Sequence, residues 1–182
     1  MLVSVVIPTL NEETAIGHTI TCARRNYSEA EVEIIVCDGG STDAAISQLP
    51  PSVTVIHSPR GRGTQMNCGA AASHGEILVF CHADSQLPSG WRELILDALS
   101  VPKVSGGTFQ TLILPARGLL LRLRNHIQFP AKWHMMFGDQ VQFMRRVDFS
   151  RVGGFQVIPL MEDVEMPAHC TTSVGSCVFH SV

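Results

Sequence analysis

The sequence predicts one α/β domain in which helices flank a mainly parallel sheet, and three observations carry that expectation. Short β-rich runs alternate with helical patterns through the first half of the chain, the sequence form of repeated strand–helix–strand units. The runs VVI, IIVC and ILVFC are continuously apolar, as strands covered on both faces are. Each of these runs ends in a polar cluster, at 8–13, 38–43 and 82–85, and in open α/β sheets the ligand crevice lies outside the carboxyl ends of the strands.

The elements follow in order. Residues 2–8 read as a strand, and 11–26 as a helix with Asn11 as N-cap and Glu12 and Glu13 in its first turn. Residues 31–39 form the second strand, 41–49 a helix capped by Ser41, and 53–58 the third strand. Residues 63–73 are rich in small side chains and predict a closely packed helix, followed by a fourth strand over 76–84 and a helix over 90–100. Beyond them, 106–114 is a strand that starts on a glycine pair, and 119–129 is a helix. Residues 141–155 read as a strand, a short helix and a glycine turn leading to PLMEDVEM at 159–166.

A chain of 182 residues that is 45% hydrophobic supports one substantial core rather than two domains. The net charge of -3 gives no global reason to expect nucleic acid. Six cysteines without metal-ligand spacing read as reduced core residues of a cytoplasmic protein. The apolar run at the N-terminus is too short for a signal peptide or a membrane span. Between Ala98 and Gly138 no residue is acidic, while Lys103, Arg117, Arg122, Arg124 and Lys132 are basic. That stretch could rest on the inner face of an anionic membrane and reach a lipid acceptor; an ordinary solvated basic helix face is the plainer account.

Four motifs carry chemistry. DGGSTD (38–43) joins a strand-ending carboxylate, two glycines and a helix start, which suits a ligand's base or ribose at Asp38 and a polar group at the free backbone amides. It fits a capped β-turn equally well, and it lacks the glycine spacing of a dinucleotide-binding fold. SPRGRG (58–63) sets Arg60 and Arg62 ahead of a helix, as a phosphate clamp or as two solvated arginines. His82-Ala83-Asp84 ends the fourth strand: Asp84 can hold a divalent cation whose other ligands are phosphate and water, and His82 either adds a ligand or bonds a neighbour. Glu162, Asp163 and Glu165 could raise one pKa and yield a general base, or mark a helix start.

Taken in order, VSVVIPTLNEE, EIIVCDGGSTD, GRGTQMNCGAAASHGEILVFCHAD, GGTF, and GGF followed by MEDVE resemble the inverting nucleotide-sugar glycosyltransferases of the GT-A fold, the large family 2 group, over about residues 3–166. Within that group the sequence is similar to the bacterial selenodomain-associated transferases. The resemblance implies a nucleotide pocket lined by Pro8, Thr9, Asn11, Glu12, Asp38, Gly39, Ser41, Asp43, Arg60 and Gly63, with Asp38 reading the base. It implies a divalent cation, Mn²⁺ or Mg²⁺, at Asp84 with His82, and Asp163 as catalytic base. The implied partners are a nucleotide-sugar donor, with UDP suited to an aspartate that pairs with a uracil N–H, and a sugar, lipid or other hydroxyl acceptor. The motifs leave the sugar, the acceptor and the oligomeric state open.

Two features depart from the pattern. The first position of the metal motif is His82 rather than aspartate. After 1–166, residues 167–182 form an atypical tail, with Pro167 where a helix should continue, and read as a truncated or frame-shifted C-terminus. Two alternatives therefore stand beside the transferase: a nucleotide-binding module of the same fold with impaired catalysis, and a nucleotidyltransferase that releases pyrophosphate.

Overall fold

The computed structural model describes residues 1–114, 140–156 and 171–180, with backbone alone for 110–114 and 171–180. Its strands are β1 (Val3–Thr9), β2 (Val32–Asp38), β3 (Thr54–His57), β4 (Ile77–Phe80), β5 (Ser85–Gln86), β6 (Gly106–Leu114), β7 (Gln142–Arg145) and β8 (Thr171–His180). The helices are α1 (Ile16–Arg24), α2 (Arg62–Ala72), α3 (Trp91–Ser100) and α4 (Arg146–Val152). One sheet runs β3-β2-β1-β4-β7-β6-β8-β5. The half built from β3, β2, β1 and β4 is wholly parallel; β7 then runs antiparallel to both β4 and β6.

Strand pleating divides the core into two layers, because successive side chains point to opposite faces. Val5, Ile7, Ile34, Val36 and Val79 share one layer with Ile16 and Ile20 of α1 and Trp91, Ile95 and Leu99 of α3. Val6, Ile35, Cys37, Leu78 and Phe80 face the other way, onto Met66 and Ala70 of α2 and Phe149 of α4. Burial on both faces is why these strands read as unbroken apolar runs. The small-residue character of α2 has a matching cause. A Cβ at Gly69 would overlap the side chains of Val6 and Cys37, so glycine lets the helix lie directly on β1 and β2.

Three expectations need correction. The first helix begins at Ile16 rather than Asn11; Asn11 has φ 56 and is a left-handed turn residue, so neither Glu12 nor Glu13 enters the first helical turn. Residues 41–49 form turns and no α-helix. Their amides bond the neighbouring loop, Thr42 N–H to Asn11 Oδ1 at 2.8 Å and Ala44 N–H to Glu13 Oε2 at 2.9 Å, and Pro50 and Pro51 stop any continuation. The fourth strand ends at Phe80, and the Ser85 amide donates to the His82 carbonyl at 3.1 Å across a tight turn. His82 and Asp84 therefore sit on a turn, and a shared strand face does not relate them. The helix expected at 119–129 lies outside the described residues, while the backbone of 171–180 runs parallel to β6 from Gly106↔Thr171 to Leu114↔His180.

Candidate functional site at the carboxyl edge of the sheet

The register brings the ends of three strands together. Thr9 lies opposite Asp38, and Asp38 lies opposite His57. The Gly39 amide donates to the Thr9 carbonyl at 2.9 Å, so β1 and β2 stay joined as the chain leaves the sheet. Beneath them the buried Gln65 of α2 donates through Nε2 to the carbonyls of both Thr9, at 2.9 Å, and Cys37, at 2.7 Å. A Cβ at Gly39 would come within 3.1 Å of this side-chain amide, tight enough that Gln65 would have to give by a few tenths of an ångström. Gly63 is buried in the first turn of the same helix, and Arg60 is exposed on the loop ahead of it.

Asp38 is itself buried and held at both oxygens. Oδ1 accepts the Ser41 amide at 2.9 Å, and Oδ2 lies 3.2 Å from His57 Nδ1. Burial pushes its carboxyl up, but hydrogen bonds from Ser41, His57 and Gly40 outweigh that and hold it below the ordinary aspartate range. An ionised carboxylate only accepts, so the imidazole carries its proton on Nδ1.

Asn11, Ser41 and Asp43, all expected to line a nucleotide pocket, meet in a clamp between two loops. Asn11 N–H donates to Ser41 Oγ at 3.0 Å, and Glu13 N–H donates to Asp43 Oδ2 at 2.9 Å. With the return bonds from the Thr42 amide and hydroxyl, the Ala44 amide and Gln48 Nε2, six cross-loop hydrogen bonds fix the rim of the crevice. Pro8 and Glu12 are half-buried beside it. Burial, then the charges of Asp84 and Asp43, push the Glu12 carboxyl up, which places these three acids within electrostatic reach of one another.

The turn carrying His82 and Asp84 is anchored from α1, whose Thr19 hydroxyl donates to the Ala83 carbonyl at 2.6 Å. Next along the chain, Ser85 Oγ is buried and has no hydrogen-bond partner among the described residues. Among the described residues no group of three or more His, Cys, Asp or Glu is placed to hold a metal ion. Asp163, with Glu162 and Glu165, lies outside the described residues, as does most of the basic stretch beyond Lys103. Among the described residues no helix is long and apolar enough to cross a membrane.

Sequence reasoning missed His57, Gln65 and Thr19. His57 could have been found as the last residue of the strand beside the one that ends at Asp38. Nothing in the local sequence marks Gln65 or Thr19, whose partners lie 56 and 64 residues away.

A parallel sheet whose carboxyl edge gathers Thr9, Asp38, a two-loop clamp and the Asp84 turn has the layout of the GT-A glycosyltransferase fold. A solved structure of S. aureus TarS in complex with UDP-GlcNAc matches over 100% of the chain with TM-score 0.78 at 15% identity. Glucosyl-3-phosphoglycerate synthase from Mycobacterium tuberculosis, with Mn²⁺, UDP and glucosyl-3-phosphoglycerate, matches over 100% of the chain and 72% of that protein, with TM-score 0.67 at 21% identity. The chain belongs to glycosyl transferase family 2, whose profile matches residues 4–150. It is also 30% identical over 121 residues, 57% of its length, to glucosyl-3-phosphoglycerate synthase of Mycolicibacterium smegmatis. The chain spans 35% of the length of that synthase and 59% of the TarS chain.

Proposed function

We propose that this glycosyltransferase moves a sugar from a UDP-sugar donor to an acceptor hydroxyl with inversion at the anomeric carbon. The observation that carries the reading is the convergence of Asp38, held ionised at the end of β2, with the Glu12–Asp43–Asp84 group at one crevice. A buried, pre-ordered carboxylate beside a strand end suits the N–H edge of a uracil. The ligands of TarS and of the M. tuberculosis synthase, UDP-GlcNAc in one and UDP with Mn²⁺ in the other, support the same nucleotide here.

The donor set fits a divalent cation. Asp84 and Asp43 lie within electrostatic reach of Glu12, and the repulsion that, after burial, raises the Glu12 carboxyl is what a cation relieves. Asp84, with His82, would hold it, and phosphate and water would complete its coordination. When bound it supplies compensation for the charge on the leaving diphosphate. Asp38 and the two-loop clamp bind and orient the nucleotide. Asp163 takes the proton of the acceptor hydroxyl as that oxygen forms its bond to the anomeric carbon; the bond to the diphosphate oxygen breaks with its electron pair, and UDP departs. The thiols of Cys22, Cys37 and Cys68 suit a reducing, cytoplasmic setting.

Calorimetric titration with UDP, GDP and NAD, each with and without Mn²⁺, tests this reading. Mn²⁺-dependent binding of UDP is expected, with loss of the Mn²⁺ effect in Asp84→Ala, and Asp163→Asn is expected to bind UDP while failing to transfer. Binding of none of the three nucleotides, or UDP affinity unchanged by Mn²⁺ and by Asp84→Ala, would overturn it.

A further inference from the structure

His57 has no part in the resemblance and no conventional role at the end of an edge strand. It is the last residue of β3 and the register partner of Asp38. Its Nδ1 lies 3.2 Å from Asp38 Oδ2, and the two side chains differ sharply in exposure, 76% for His57 against 5% for Asp38. The imidazole thus reaches from solvent onto a buried carboxylate, and almost none of its surface is used for packing. An exposed ring contributes little to the core, so this hydrogen bond accounts for most of what the side chain does in the structure.

The bond falls on Oδ2, the oxygen opposite the one that the Ser41 amide holds. Ser41 N–H already holds Oδ1 at 2.9 Å. A carboxylate with one oxygen tied can still turn about its terminal torsion, which is broad and two-fold. A second donor on the other oxygen stops that rotation. The donors already on the carboxylate, from Ser41, Gly40 and His57, leave it pre-ordered at the end of β2.

We propose that His57 is a positioning residue for nucleobase recognition: its Nδ1–H fixes the orientation of the buried Asp38 carboxylate that meets the N–H edge of the bound base. The inference rests on the UDP-sugar reading above. His57 acts through Asp38 and need not touch the nucleotide.

The test is calorimetric titration of UDP, in the presence of Mn²⁺, into the full chain and its His57→Ala and His57→Asn variants, with melting temperatures in parallel. Asparagine places its amide nitrogen near the position of Nδ1 and so restores the donor without the ring. His57→Ala is expected to weaken UDP binding roughly 5- to 10-fold, the net worth of one ordinary intramolecular hydrogen bond, while His57→Asn stays within about two-fold of the native chain. His57→Ala should melt a few degrees below the native chain, because one donor to the buried Asp38 carboxylate is lost, and His57→Asn should melt with the native chain. UDP affinity unchanged in His57→Ala, or lost equally in His57→Asn, overturns the role of His57 while the native chain's binding leaves the UDP reading standing. A native chain that binds no UDP overturns both.

Discussion

Asn67 and Phe155 exchange two hydrogen bonds: Asn67 Nδ2 donates to the Phe155 carbonyl at 2.8 Å, and the Phe155 amide donates to Asn67 Oδ1 at 2.9 Å. The side-chain amide thereby imitates a strand partner for the chain leaving α4. Gly154, at φ 79, is placed so that a Cβ would lie 2.6 Å from Asn67 Oδ1, and Phe155 packs edge-on to Phe80 with centroids 4.7 Å apart. Asn67→Ala should cost about 1–3 kcal/mol through two lost bonds, one of them leaving a partly buried carbonyl unmet. Thermal unfolding checks this, with a fall of about 2–4 °C expected per kcal/mol for a chain of this size.

Gly69→Ala sets two effects against each other. Alanine gains about 1 kcal/mol in helix propensity, whereas overpacking a core costs about 1–3 kcal/mol. The overlap here is with Val6 and Cys37, side chains on two central strands that cannot swing aside, so the loss should win. A lower melting temperature for Gly69→Ala is expected, and a rise would show that α2 stands further off the sheet.

Glu12 should oppose the fold at neutral pH. Its carboxyl is pushed up by burial and then by Asp84 and Asp43, so its favourable contribution is complete below the ordinary glutamate range and is lost as pH rises through its folded pKa. Glu12→Gln should therefore melt higher than the native chain at pH 7, by on the order of 1–2 °C, with no difference near pH 4. Saturating Mn²⁺ should shrink the gap, because a cation among the acids relieves the same repulsion.

Asp38 has the opposite sign. Its carboxyl is held down despite burial by Ser41, His57 and Gly40, so its contribution is present above the ordinary aspartate value of about 3.9 and is lost as pH falls through the folded pKa. Asp38→Asn should melt below the native chain by a constant margin from pH 7 to about pH 5, and the margin should close only in stronger acid. A margin that closes near neutrality would mean that the carboxyl is not held down.

Truncation after Met166 removes β8, which lies between β6 and β5 in the sheet. Ser85 and Gln86 would lose their antiparallel partners Phe179 and Val178, and β6 would become an exposed edge. A melting temperature lower by more than about 5 °C is expected, corresponding to a loss of at least about 2 kcal/mol. An unchanged value would show that the strand adds nothing to stability and that the tail is dispensable.

Much of the fold was legible in the chain because burial on both faces is a local property of composition. Val5, Val6 and Ile7 are all fully buried, so β1 reads as one apolar run, and the polar residues that follow such runs must emerge at the carboxyl edge. The sequence by itself thus determined a mainly parallel sheet, its approximate strands and the position of Asp38 at a strand end. Only the tertiary structure decided how the polar residues use their bonds. Asn11 and Ser41 look from the chain like a helix cap apiece; across a separation of 30 residues they bond each other instead, and neither caps a helix. The Asp84 turn, the Gln65 bridge and the His57–Asp38 pair were decided in the same way. Hydrogen bonds join atoms that folding brings together, whereas periodicity records only what near neighbours in the chain bury.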